Sequence, residues 1–198
     1  DGGFGGDGIG SGEGGDNIDG GPGEDRVVGG EANDELSARD GVNEFEGGVG
    51  NDTIGGGANS TIQGGADNDT ISAGNNSTVD AGTGDDTVSA GTGSFVTLGD
   101  GRDTYVLNSV SGPTITDFQT GDTGDIVDFL PVLSSQYDGV SNPFGAGFAR
   151  LVQDGDDVVL ELDTGGGDGN PLQYTPALRF ENTDQATFTA ANFAPGLN

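Results

Sequence analysis

Along the first half of the chain, one large apolar residue recurs every eight or nine positions, separated by glycine and polar residues. These positions are Ile9, Ile18, Val27, Leu36, Phe45, Ile54, Ile62, Ile71, Val79, Val88, Val96 and Tyr105. A fixed period of this kind marks a repeat architecture. From Gly2 to Val106 the sequence divides without a gap into twelve units. Among them are GGFGGDGIG (2–10), GGPGEDRVV (20–28), GGVGNDTIG (47–55) and LGDGRDTYV (98–106). The shared template is G-G-x-G-x-D-x-U-x, with U the apolar residue. Glycines at the first, second and fourth places let a six-residue turn take backbone angles closed to other residues. The last three places then form a short strand whose U side chain alone is expected to point inward. Two units make one turn of a flattened coil, with strands on two faces and turns on two edges. The fold expected is an all-β parallel β-roll over 1–106.

Past Val106 the period stops and aromatic content rises. Phe118, Phe129, Phe144, Phe148, Phe180, Phe188 and Phe193 all lie beyond it. Segments 114–118, 125–129, 148–153, 157–163 and 177–180 alternate apolar and polar residues and predict strands. Asp154-Gly155 signals a hairpin, and the glycine tract 165–170 a further turn. Residues 107–198 are expected to form a β-rich cap over the open end of the roll, where bare strand edges would invite aggregation.

Separating the units by parity separates the two edges. Even units carry Asp16, Asp34, Asp52, Asp69, Asp86 and Asp103 at the sixth place without exception. Odd units begin with Asp7 and Asp25, then carry Asn43 in the fifth. The seventh, ninth and eleventh units are one residue shorter and lack the Asp. From Asp52 onward a turn is therefore 17 residues rather than 18, as the spacing of Asp52, Asp69, Asp86 and Asp103 shows.

Stacked one turn apart, at the strand spacing of about 4.8 Å, bare carboxylates at an effective dielectric near 20 repel by roughly 3–4 kcal/mol per neighbour. A hard cation with oxygen ligands removes that repulsion. Calcium takes six to eight carboxylate and carbonyl oxygens flexibly, whereas magnesium demands near-octahedral geometry. Binding and folding should be one event, leaving the metal-free chain largely unfolded. At the sub-millimolar affinity of extracellular calcium modules, about five ions are expected on the even edge and one or two on the odd edge near the N-terminus, between the loops of Asp7 and Asp25, with the Asn43 loop as a further candidate. Beyond that, Asn59, Ser60, Asn75, Asn76 and Ser77 are expected to close the odd turns by hydrogen bonds without metal.

Composition narrows the function classes. The chain has no Cys, His, Met, Trp or Lys, and its basic residues are five arginines. Disulfides, thiol nucleophiles and the usual general bases are absent, so no enzyme activity is expected. A formal charge of −29 disfavours nucleic acid and anionic membranes as partners. The sequence opens inside a repeat, which is expected of part of a larger chain.

The template resembles that of the RTX (hemolysin-type) calcium-binding repeat, with twelve tandem copies carrying the likeness. The resemblance implies that each ion takes the Asp carboxylates and loop carbonyls. One loop supplies its second and fourth places, and the loop a turn later its first and third. Gly12 and Gly14 would act with Gly29 and Glu31, and Gly30 and Ala32 with Gly47 and Val49. Gly48 and Gly50 continue that edge, while Gly3, Gly5 and Gly20 serve the odd one. Ala32 and Asp67 stand where the template has its fourth glycine.

The segments ITDFQTGDTGDIVDF (115–129), NPFGAGFARLVQDGDDVVLELD (142–163) and FTAANF (188–193) are similar to the C-terminal domain of RTX proteins exported by type I secretion. That similarity implies an uncleaved export signal near the C-terminus, the type I secretion machinery as a partner, and a bacterial, extracellular location. It also places Asp117 and Asp125 at the last calcium site. The function implied is a calcium-binding structural module of a larger secreted protein. The alternative is a calcium-dependent module attaching a surface-layer protein or adhesin to the cell envelope, to polysaccharide or to its own copies.

Overall fold

The computed structural model describes residues 1–38, 40–133, 142–163 and 173–194. Each repeat contributes one strand. In chain order they are β1 (Gly8–Glu13), β2 (Asn17–Asp19), β3 (Arg26–Glu31), β4 (Glu35–Ala38), β5 (Glu44–Val49) and β6 (Thr53–Gly56). There follow β7 (Thr61–Ala66), β8 (Thr70–Ala73), β9 (Thr78–Thr83), β10 (Thr87–Ala90), β11 (Phe95–Thr97) and β12 (Thr104–Val106). Odd strands stack in parallel on one face and even strands on the other, so every neighbour in a sheet is one full turn away. The result is an all-β parallel solenoid, as the period predicts.

All twelve U positions face between the sheets, and eleven belong to the buried core; Ile9, in the first turn, is partly buried. Thr53 pairs with Glu35 eighteen residues earlier and with Thr70 seventeen residues later, which places the shortening of the turn where the Asp spacing puts it.

One expectation is corrected: U is not the only inward residue. The strands β3, β5, β7 and β9 run for six residues and turn inward twice, at Val27 and Gly29, Phe45 and Gly47, Ile62 and Gly64, Val79 and Ala81. The pleat brings every second residue back to the same face, so the first place of the following even unit also points inside. Glycine and alanine fill it along the roll. Leu98, fully buried, fills it in the last repeat.

The sequence repeat ends at Val106, but the coil continues. Strand β13 (Thr114–Ile115) extends the first sheet by pairing in parallel with β11, and β14 (Ile126–Asp128) extends the second by pairing with β12. Next come β15 (Ala149–Asp154), β16 (Asp157–Asp163), β17 (Tyr174–Phe180) and β18 (Phe193–Ala194). Strand β17 lies parallel to β13, and β18 parallel to β14. The hairpin β15–β16 is antiparallel, closing at Asp154–Asp157 with Gly155 at φ 67°, where the Asp-Gly signal predicts a turn. The sheets end with ten and eight strands. Each segment predicted as a strand beyond Val106 contains one; the turn expected at 165–170 lies outside the described residues.

Between the sheet ends sit six phenylalanines in mutual contact. Phe118 meets Phe180 edge-on at 4.7 Å and stacks on Phe188 at 5.5 Å, and Phe193 joins Phe188, Phe144 and Phe129. Pairs of this geometry add about 0.5–1.5 kcal/mol each beyond burial.

Candidate metal centre

The sixth-place carboxylates form a ladder along the even edge. Each backbone N–H at the sixth place donates to the Oδ1 one turn later. Asp16 donates to Asp34, Asp34 to Asp52, Asp52 to Asp69 and Asp86 to Asp103 at 2.8 Å, and Asp69 to Asp86 at 2.7 Å. Asp103 donates in turn to Asp125 at 3.1 Å. The odd edge starts the same way, Asp7 donating to Asp25 and Asp25 to Asn43, both at 2.9 Å.

One oxygen of each carboxylate beyond the first turn is therefore held. The other is not. The Oδ2 atoms of Asp7, Asp25, Asp34, Asp52, Asp69, Asp86 and Asp103 are buried without any hydrogen-bond partner. A buried carboxylate oxygen with nothing to accept from is costly. Five in one file on the even edge and two on the odd edge make an arrangement that suits a cation. Asp16, in the first turn, is half-buried and stands outside this set.

Backbone oxygens complete the surroundings. A Cβ added to Gly29 would strike both Asp34 Oδ2 and the Gly47 carbonyl, and one added to Gly47 would strike Asp52 Oδ2 and the Gly64 carbonyl. Glycine at the first place thus keeps a methyl out of a space bounded by a carboxylate and by the next turn's carbonyl. The Gly12 carbonyl faces the Cα side of Gly30, that of Gly30 faces Gly48, and that of Ala32 faces Gly50. On the odd edge, Gly3 and Gly5 face Gly21 and Gly23 in the same way, and Asp25 Oδ2 lies against Gly20. The third-place carbonyl of Glu31 accepts from Gly14 N at 3.1 Å, and Val49 continues that row in register.

Ala32 and Asp67 take φ of 80° and 76°, so both loops keep the left-handed turn of their glycine counterparts, at a cost of about 1–2 kcal/mol each. Among the described residues no three acidic side chains converge on one point. Each even-edge loop presents one sixth-place carboxylate among backbone carbonyls, a set that would suit calcium better than zinc or magnesium.

Burial lifts the carboxyl groups of Asp52, Asp86 and Asp125 above their ordinary range, and neighbouring carboxylates add to the lift. Those of Asp69 and Asp103 are pushed up to about 7 by the same causes in that order, against the pull of the ladder hydrogen bonds. The column holds its negative charge reluctantly unless something positive shares it.

The later odd loops look different. Ser60 N donates to Ser77 Oγ at 3.2 Å and Ser77 N to Ser94 Oγ at 3.0 Å. The Ser60 hydroxyl donates to the Gly57 carbonyl at 3.0 Å, and that of Ser94 to Gly74 at 3.1 Å. Asn75 Oδ1 accepts from Thr92 N. Asn59 and Asn76 contribute left-handed backbone, at φ 62° and 57°. Ser94 belongs to this row although the sequence reading passed over it; its alignment with Ser60 and Ser77 in the shortened units was the available signal.

A second ladder also went unread. Asn33 Oδ1 accepts from Asn51 N, Asn51 Oδ1 from Asn68 N and Asn68 Oδ1 from Asp85 N. The Asn-Asp pairs at 33–34, 51–52 and 68–69 carried that signal.

Beyond the last repeat, Asp117 receives Leu98 N on Oδ1 and Gly99 N on Oδ2, and Asp125 receives Asp103 N and Gln119 N. Both finish the last repeat where a further turn would stand. Asn192, fully buried, donates to the Asp125 carbonyl at 2.8 Å and accepts from Gly121 N at 3.0 Å, locking the loop that presents Asp125.

The family described as RTX calcium-binding nonapeptide repeat (4 copies) matches residues 1–36, 10–43, 19–54, 54–77 and 74–94. No curated protein matches the chain. Among solved structures, one similar chain is titled the solution structure of the AlgE6R3 subunit from the Azotobacter vinelandii mannuronan C5-epimerase. It is 17% identical, with a TM-score of 0.30, over 91% of this chain and 77% of that one. Tandem matches to that family model run from residue 1 to residue 94, over stacked carboxylates whose Oδ2 atoms have no partner, so this stretch carries RTX-type calcium-binding nonapeptide repeats.

Proposed function

We propose that the chain is a calcium-folded structural module of a larger exported protein, and that it carries no catalytic activity of its own. The reading rests on the seven buried carboxylate oxygens without partners, five of them in one file from Asp34 to Asp103. Among the described residues no salt bridge brings an arginine to this file, and Arg102 donates to the Gly124 and Ala191 carbonyls. Arg26 pairs with Glu44 and Glu46, Arg150 with Glu161, and Arg179 with Asp154 and Asp157.

The ions would lie between successive loops, about five along the even edge and one on the odd edge, at the sub-millimolar affinity of extracellular modules. Their ligands would be the Asp carboxylates and the carbonyls of the first four places. Asp117 and Asp125 would close the even column at its last gap. Residues 107–198 would act as the cap and, by their similarity to type I secretion targets, as the export region. Cytosolic calcium would leave the chain open for passage, and extracellular calcium would close it. Among the described residues no helix is long and apolar enough to cross a membrane.

The test is a calcium titration of the whole chain followed by far-UV circular dichroism, with bound ions counted by native mass spectrometry. Cooperative gain of β structure with six or so ions supports the reading. Full β structure in excess chelator overturns it, and calcium-dependent self-assembly or glycan binding would move the assignment to an attachment module.

A further inference from the structure

The fifth repeat holds a calcium loop whose side chain has been changed by one atom. Its sixth place is Asn43, 1% exposed, and its Oδ1 accepts from Asp25 N at 2.9 Å as an aspartate would. Where Asp25 has its unpartnered Oδ2, Asn43 has an N–H group, and Nδ2 donates to the Asp40 carbonyl at 3.4 Å. Asp40 is at the third place, one of the carbonyls that an ion in this gap would use. A hydrogen stands where the cation would be.

Among the described residues, the end of this loop keeps the backbone of the earlier odd loops. Gly41, at the fourth place, has φ 103° and packs on the Gly23 carbonyl as Gly23 packs on that of Gly5. Pro22 and Asp40 pair across the gap in parallel register. The next odd loop differs in kind. It is one residue shorter, turns through Asn59, and uses the Ser60 hydroxyl to occupy the Gly57 carbonyl. Asn43 therefore stands at the boundary between a metal-built edge and one laced by hydrogen bonds.

We infer that Asn43 ends the odd-edge calcium column: its amide shuts the gap between the Asp25 and Asn43 loops, and a carboxylate there opens it to one more ion. This rests on the calcium reading above. An amide nitrogen is no ligand for a hard cation, and its hydrogens repel one. An aspartate at residue 43 would give the gap two carboxylates on a backbone already shaped for them.

Asn43→Asp in the full chain, titrated with calcium and weighed by native mass spectrometry, is expected to hold one ion more than the parent. Ser77→Asp, on a shortened loop, is expected to add none. Asp25→Asn, which removes the last acid of the odd column, is expected to lose one ion from the parent count. An unchanged count for Asn43→Asp with full β structure overturns the inference, as does the loss of two ions from Asp25→Asn or a gain by Ser77→Asp. Should Asn43→Asp fail to fold, the Asp25→Asn count decides alone. A parent chain that binds no calcium would instead refute the underlying reading.

Discussion

Asp69→Asn isolates the charge of the even column from its hydrogen bonding. The amide keeps an Oδ1 to accept from Asp52 N, now 2.8 Å away, and replaces the unpartnered Oδ2 by N–H. Two gaps border this residue, one toward Asp52 and one toward Asp86. At about 5 mM calcium and an affinity near 0.5 mM, each ion contributes about 1.4 kcal/mol, so losing two costs about 3 kcal/mol. With about four ions left, stability changes by roughly 4RT per e-fold of calcium, and the folding midpoint should rise about threefold. In chelator the sign reverses. The substitution removes repulsion of about 3 kcal/mol from each neighbour at the turn spacing, lessened because the Asp69 carboxyl is pushed up to about 7 and is partly protonated at neutral pH. The assay is a far-UV circular dichroism titration with calcium, paired with thermal melts in chelator. An unshifted midpoint, or a chelated variant with less β structure than the parent, would refute the reasoning.

Other perturbations have equally definite outcomes. In chelator, acid should restore the fold. Asp69 and Asp103 titrate near 7 in the roll, above their ordinary 3.8. Their contribution is fully present below pH 3.8 and is lost as pH rises through 7. In calcium the trend is opposite: protons compete with the ion, and the half-saturating concentration should rise as pH falls from about 8 to 5, which calorimetric titration at several pH values would read. Ser77→Ala removes the acceptor for Ser60 N and a donor to the Gly57 carbonyl in a buried row. It should cost about 1–3 kcal/mol by thermal unfolding, with the ion count unchanged. Asn192→Ala should cost about 3 kcal/mol and speed hydrogen exchange at Gly121 and Thr189, whose N–H groups it caps.

The parts of the fold carried by side-chain chemistry could be read before any coordinates. The U residues, the even aspartates and the change from 18 to 17 residues per turn are periodic features, and each is a property of local sequence. The second inward position was silent for a physical reason: Gly29, Gly47 and Gly64 have no side chain to announce which way they face. The Asn33–Asn51–Asn68 ladder was overshadowed by the aspartates beside it, because an exposed Asn in a turn has many roles and only register selects this one. Beyond Val106 the strands were legible, but not that β13, β14, β17 and β18 prolong the coil. Thr114 meets Arg179 sixty-five residues away, and no local pattern encodes a pairing at that range. In the candidate metal site, the aspartates were legible from their period, whereas the carbonyls expected as donors were reachable only through the family likeness.

The hairpin β15–β16 gives the molecule a direction. A sheet of identical parallel strands can in principle be lengthened by any other copy that offers the same edge, which is how fibrils grow. On the first sheet, strand direction reverses between β17 and β16, and the outermost strand is the short, charged segment ARLVQD. An incoming roll meets no continuation of its own lattice there. Polymerisation by simple end-on addition is blocked at that terminus of the sheet, so a dense population of such rolls can crowd together without that terminus templating its neighbours.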